Sequence, residues 1–232
     1  MVKLASQEVG RIMNTPVTFE LGQFDQLPVE GGIYAWYYKP HISKKAIKDL
    51  EDEHHKLDSA ELSIRIKALL YREIFKFLDE ADYQATMDGG LRPDYVGKLK
   101  YVSPVSKSLC DALAKRPEQL WTIQSILKNC PFYFTPPIYV GMSKSLRTRL
   151  KTHKTHLDNI RFQDAEHSAA LLKDVRDEDE QRSISFALDV SRRDMSLERL
   201  CVAVNVMNVE DDSHKNIENI LNRISHPICG RN

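Results

Sequence analysis

The sequence predicts an α+β chain: a small sheet flanked by helices, with a mostly helical insertion between two strands of that sheet. Two short runs, residues 31–38 and 137–141, are rich in β-branched and aromatic residues, which suit a pleated, half-buried surface. Between them the apolar residues recur at helical rather than alternating spacing. Beyond Gly141 leucines return at Leu146, Leu150 and Leu157, the pattern of a strand feeding a helix through a glycine turn.

Taken in order, residues 6–13 suit a helix or irregular arm, 17–21 a short extended piece, and a polar turn then ends at Pro28. On the strand that follows, side chains alternate, so Tyr34 and Trp36 share one face and Ile33 and Ala35 the other. Residues 42–57 are charged with helical spacing. Residues 59–82 carry Leu62, Ile66, Leu69, Leu70, Ile74 and Phe77 on one stripe behind a cap-like Ser-Ala-Glu-Leu start. Asp88-Gly89-Gly90 marks a turn, and 106–115 and 117–128 suit two further helices. Residues 174–180 are so acidic that they suit a solvated loop. Alternation in 183–190 and β-branched content in 200–206 predict strands. Asp211-Asp212-Ser213 offers cap chemistry for a last helix with Ile217, Ile220, Leu221 and Ile224 at helical spacing. Residues 1–40 and 131–232 are therefore expected to form one body, and 41–130 an insertion.

An apolar content of 42% with 28% charged residues is that of a soluble globular protein. No run of eighteen apolar residues is present, so no membrane span is expected. The polar start at Met1-Val2-Lys3-Leu4 lacks the apolar stretch of a signal peptide, which predicts a cytoplasmic protein. Cys110, Cys130, Cys201 and Cys229 are too scattered for a zinc site or a disulfide framework and suit free thiols. Formal net charge is zero, so any role with nucleic acid must rest on a local patch.

The segment after Gly141 supplies a candidate patch. Arg149, His153 and His156 fall at i, i+4 and i+7 and are expected on one helical face, with the leucines on another. Lys144, Arg147, Lys151, Lys154 and Arg161 add local positive charge, which suits a phosphate ligand. Gly32-Ile33-Tyr34 on one strand, Tyr139-Val140-Gly141 on a second, and an arginine and a histidine ten and fourteen positions past Tyr139 together resemble the GIY-YIG nuclease family. Tyr95-Val96-Gly97 has the second tripeptide's form too, but Val105 and Leu109 stand at the matching offsets, so Tyr139 is the better second tyrosine. The resemblance covers residues 28–38, 136–157 and 213–232.

Phosphodiester hydrolysis needs an activated water, charge stabilisation at the phosphate and release of the departing oxygen. The resemblance implies a GIY-YIG-type catalytic core that cuts DNA with Mg²⁺, for which Mn²⁺ would substitute. Tyr34 would act as general base or orient the water, its phenol lowered from the usual value of about 10. Tyr139 would support the same water or the phosphate. Arg149 would bind the scissile phosphate, and His153 would assist proton transfer or hold a tyrosine. Glu218 would be the metal ligand, and Asn232 would fix the geometry, with Asn222 as a competitor for that place. Lys144 and Arg147 would add phosphate contacts. The insertion would read DNA or join a homodimer, since cutting both strands with one site per chain is most simply done by two copies. No zinc or helix-hairpin-helix module is evident, which tilts the resemblance toward a type II restriction or phage-defence nuclease rather than a structure-specific repair or recombination enzyme. The neutral charge motivates a different class, a non-catalytic nucleic-acid-binding or assembly module on the same fold. Singly, each tyrosine suits packing and each of Arg149, His153 and Glu218 suits a solvated helix face; only their joint register favours chemistry.

Overall fold

The computed structural model describes residues 15–79, 83–89, 92–99, 105–129, 135–161, 175–207 and 213–229. In chain order the elements are β1 (Val17–Glu20), β2 (Gly32–Tyr38), α1 (Lys44–His54), α2 (Ser59–Leu70), β3 (Tyr83–Gly89), β4 (Arg92–Leu99), α3 (Lys107–Lys115), α4 (Gln119–Asn129), β5 (Tyr139–Ser143), α5 (Leu146–Arg161), α6 (Glu178–Arg192), β6 (Leu200–Val206) and α7 (Ser213–Ser225). The fold is α+β. The chain divides into two compact units, residues 1–39 with 131–232, and residues 40–130. Among the described residues no helix is long and apolar enough to cross a membrane.

The first unit is built on an antiparallel sheet of order β1-β6-β2-β5, which places β2 in the interior between β6 and β5. Gly32, Tyr34, Trp36 and Tyr38 alternate as the buried residues of β2, as expected for a strand with one face on the core. Gly32 is required by close backbone approach, because a Cβ there would lie 2.2 Å from the Asn205 carbonyl oxygen of β6. Helix α5 is clamped to the chain that enters β2: its first amides, Leu146 N–H and Arg147 N–H, donate to the Glu30 and Pro28 carbonyls at 3.0 Å each. Those amides are thereby satisfied inside the protein.

Residues 183–190, expected as a strand, are helical and belong to α6; the acidic 174–180 stretch is not all loop, since Asp177 caps α6 and accepts from Glu180 N–H at 2.8 Å. The sequence supports both periods there. Ser183, Phe186, Ala187 and Val190 also stand at i, i+3, i+4 and i+7 and are all buried, and the three acids of the first turn favour the helix N-terminus.

The second unit packs α1 to α4 around residues such as Ile42, Ile47, Leu62, Ile66, Leu113 and Leu120. Ser43, Asp58 and Ser106 cap α1, α2 and α3 through their side-chain oxygens. Beyond Leu70 the expected long helix tightens and loosens, through a π turn at Tyr71–Phe75 and a 3-10 turn at Lys76–Leu78. The unit is not wholly helical, because β3 and β4 pair as antiparallel strands. Tyr95 lies on β4 opposite Met87, whereas Tyr139 lies on β5 beside β2.

Candidate active site

Strand register sets the first pair. Tyr34 on β2 stands opposite Gly141 on β5, and Trp36 opposite Tyr139, so the two tyrosines are diagonal neighbours on one face, with ring centroids 6.1 Å apart and planes 20° apart. The absence of a side chain at Gly141 makes room for the phenol: a Cβ there would come within 2.6 Å of Tyr34 Oη. Both tyrosines are buried, Tyr34 at 1% exposure and Tyr139 at 5%.

Helix α5 covers that face with a stripe of Leu146, Leu150, His153, Leu157 and Ile160, all buried. His153 is therefore a member of the leucine stripe and not of a separate polar face, as the spacing predicts it to be. The sheet is the cause, because it receives the helix over aromatic rings that an imidazole can meet edge-on. The rings of Tyr34, Trp36, Tyr139 and Phe186 lie 5.6, 6.0, 5.5 and 5.3 Å from that of His153. His153 Nε2 and Tyr34 Oη share a hydrogen bond of 2.9 Å, while Nδ1 is buried with no hydrogen-bond partner. A buried, unpaired polar atom costs about 1–3 kcal/mol, which an apolar side chain in the same stripe would avoid.

Burial holds the His153 imidazole well below its ordinary pKa, and Arg149 and His156 push it the same way, so the ring is neutral. The Tyr34 phenol moves opposite to the lowering expected from the resemblance. Burial raises it well above the ordinary value and Tyr139 adds to the rise, against the pull of Arg149. Tyr139 is raised as well, first by burial, with Arg149 opposing and Glu218 reinforcing the effect.

Arg149, one turn before His153, has a side chain only 10% exposed. Its Nε donates to Tyr34 Oη at 3.2 Å, Nη1 donates to the Asp179 carbonyl, and Nη2 lies 3.7 Å from the Asp179 carboxylate. From α7, Glu218 meets Arg182 of α6, with Arg182 Nη1 donating to Glu218 Oε1 at 3.3 Å. Two clefts meet at this pair. One of about 880 Å³ is lined by Lys144, Arg149, Asp179, Arg182 and Glu218, the other of about 440 Å³ by Tyr139, Arg182, Glu218, Asn222 and Arg223.

The expected residues do not all converge. Tyr34, Tyr139, Arg149 and His153 form one contact network, and Glu218 borders it from the cleft. Lys144 is exposed on the wall of the larger cleft. Arg147 is turned away: its Nε donates to the Leu27 carbonyl at 2.7 Å and it lines a different hollow beside Val17 and Val204. Lys151 and Lys154 pair with Asp25 and Asp158 at 2.7 and 3.1 Å, so the basic segment does not become one cationic face. The larger cleft in fact carries Asp177, Glu178, Asp179, Glu180 and Glu218 against Lys144, Arg149 and Arg182. Asn232 lies outside the described residues, whereas Asn222 lines the smaller cleft.

Among the described residues no group of three His, Cys, Asp or Glu side chains is arranged to hold a metal ion. Mg²⁺ does not require one: it keeps several waters and takes one or two carboxylates. Glu218, 19% exposed on a water-accessible wall with an excess of carboxylates nearby, fits that mode of holding. The sequence reading missed Asp179, Arg182 and Phe186, all on α6. The signal that would have found them is the i, i+3, i+4, i+7 spacing of Ser183, Phe186, Ala187 and Val190, hidden by a simultaneous period of two. Comparison of the chain with family models, with curated proteins and with solved structures finds no match.

Proposed function

We propose that this chain is a Mg²⁺-dependent endonuclease of the GIY-YIG kind that hydrolyses DNA phosphodiester bonds, in a restriction or phage-defence role. The observation that carries the reading is the convergence of Arg149 and His153 on the Tyr34 hydroxyl, with Tyr139 stacked beside it and Glu218 on the adjoining cleft. Three parts of the chain far apart in sequence meet there, and plain packing gives no reason for a guanidinium and an imidazole on one phenol oxygen.

In this reading Arg149 exchanges Asp179 for the scissile phosphate and binds it as a bidentate donor. Because Arg149 can only donate, Tyr34 Oη accepts from it. In the tautomer protonated on Nδ1, His153 Nε2 accepts the phenol proton. A water at the phosphate then gives its proton to Tyr34 as Tyr34 passes its own to His153, so neither phenolate nor imidazolium is needed at rest. Burial keeps the phenol protonated and the imidazole unprotonated at rest, the starting states the relay needs. Glu218 would hold Mg²⁺, which would supply positive charge for the phosphate and the departing oxygen. Lys144 is placed to contact phosphate from the rim, and the unit of residues 40–130 would serve substrate reading or homodimer contacts.

The test is incubation of plasmid and short duplexes with protein and Mg²⁺ or chelator. Wild type should give metal-dependent products, and Glu218→Gln should lower the rate by a factor of about 10²–10³. Equal behaviour of the two proteins would end the proposal. One observation favours a second reading, a non-catalytic nucleic-acid-binding module: Tyr34 Oη is buried and already shared by His153 and Arg149. Salt-sensitive binding without product at any Mg²⁺ concentration would decide for it.

A further inference from the structure

From the position of Arg182 we infer that it is a further phosphate-contacting residue, beyond Arg149 and Lys144, engaging the substrate strand where it passes between the two clefts. The inference rests on the nucleic-acid reading above. Arg182 belongs to α6, the helix that alternation disguised, and it lines both the larger and the smaller cleft. Among the described residues only Glu218 and Asn219 share that double position.

Three observations set it apart from the other arginines near the site. Its Nη1 is on Glu218 Oε1 at 3.3 Å, a loose contact for a charge-assisted bond, while 44% of the side chain is exposed to the cleft. Arg149 by contrast is 10% exposed and already anchored on Tyr34, and Arg147 faces another hollow. The larger cleft also carries five carboxylates and three cations, so a polyanion can settle there only where a cation is free to turn toward it. Among the described residues Arg182 is such a cation on the cleft wall, as exposed Lys144 is at the rim. A cation bound at Glu218 would weaken the Arg182–Glu218 attraction and repel the guanidinium, releasing it toward phosphate as the metal site fills. Arg149 and Arg182 then hold successive parts of one strand on either side of Glu218.

A mere prop for Glu218 would behave differently from a phosphate contact, and salt dependence separates the two. The experiment measures binding of a fluorescein-labelled duplex by anisotropy without metal and with Ca²⁺, across a salt series, for wild type, Arg182→Ala, Arg182→Lys and Arg147→Ala. Each phosphate contact contributes about 0.9 to the slope of log affinity against log salt concentration. Arg182→Ala should lose about that much slope in Ca²⁺, Arg182→Lys should keep most of it, and Arg147→Ala should match wild type. A slope unchanged in Arg182→Ala overturns the inference even if cleavage falls, because the residue then acts only through Glu218. Should Arg182→Ala fail to fold, Arg182→Gln carries the same slope test. If wild type shows no salt-dependent binding to duplex or single strand, the nucleic-acid reading itself fails, and this inference with it.

Discussion

Two flanks of helix α5 carry the same kind of side chain and treat it in opposite ways. On one flank Arg147, Lys151 and Lys154 reach a carbonyl and two carboxylates near the surface. On the other, Arg149 donates to Tyr34 Oη, and His153 is drawn against the sheet among the rings of Tyr34, Trp36 and Tyr139 and that of Phe186 from α6. The lesson is that a count of basic residues says little about which of them can act. A carbonyl and surface carboxylates engage the first group, whereas the second is desolvated, so the Arg149 charge acts with little screening and His153 stays neutral.

The sharpest test of that contrast uses the two arginines of one turn. Arg149→Ala should slow DNA cleavage by about 10²–10³-fold, the loss expected for a donor aimed at transition-state charge. Arg147→Ala should change it by no more than about twofold, the scale of a surface substitution. Comparable losses from both would erase the distinction between the flanks. Next in size is the packing that seats Tyr34. Gly141→Ala should destabilise the protein by about 1–3 kcal/mol, since its Cβ meets the phenol at 2.6–2.7 Å. Chemical unfolding read by circular dichroism measures it, and an unchanged midpoint would show that Tyr34 is not seated against that glycine.

A smaller effect reads out the buried imidazole. His153 has its folded pKa depressed below the ordinary 6.5. Between those two values the unfolded chain binds a proton that the native chain does not, so stability rises with pH there and falls on acidification below about 6.5. The slope this one group contributes approaches about 1.4 kcal/mol per pH unit inside that window. Urea midpoints measured from pH 8 down to 5 should show the loss in wild type, and His153→Asn should flatten it. A slope of the same size in the variant would place its source elsewhere. The smallest effect belongs to the exposed flank: Lys151→Ala removes the contact with Asp25, and melting temperature and cleavage rate should both stay within error.

Much of the fold was legible because local chemistry and burial agree. Gly32–Tyr38 alternates as its sequence demands, and Leu200–Val206 is a strand by its β-branched residues, whereas α2 is capped by Asp58 and not by the cap-like start at Ser59. The misreading of α6 shows the limit. Ser183-Ile184-Ser185-Phe186-Ala187-Leu188 satisfies a period of two and a helical period together, and only its packing against the rest of the first unit chooses between them. The pairing of β3 with β4 was legible only as an expected turn near Gly89.

At the candidate site, sequence alone determined that Tyr34 and Tyr139 belong to strands and that Arg149 and His153 lie one helical turn apart, because spacing along a strand or helix is a local property. It did not determine that His153 is buried, that Arg147 points away, or that Asp179 and Arg182 of α6 meet Arg149 and Glu218. Those were decided by how α5, α6 and α7 dock on the sheet. Burial and partner choice depend on residues distant in the chain, and it is burial that sets the phenol and imidazole away from their ordinary pKa values.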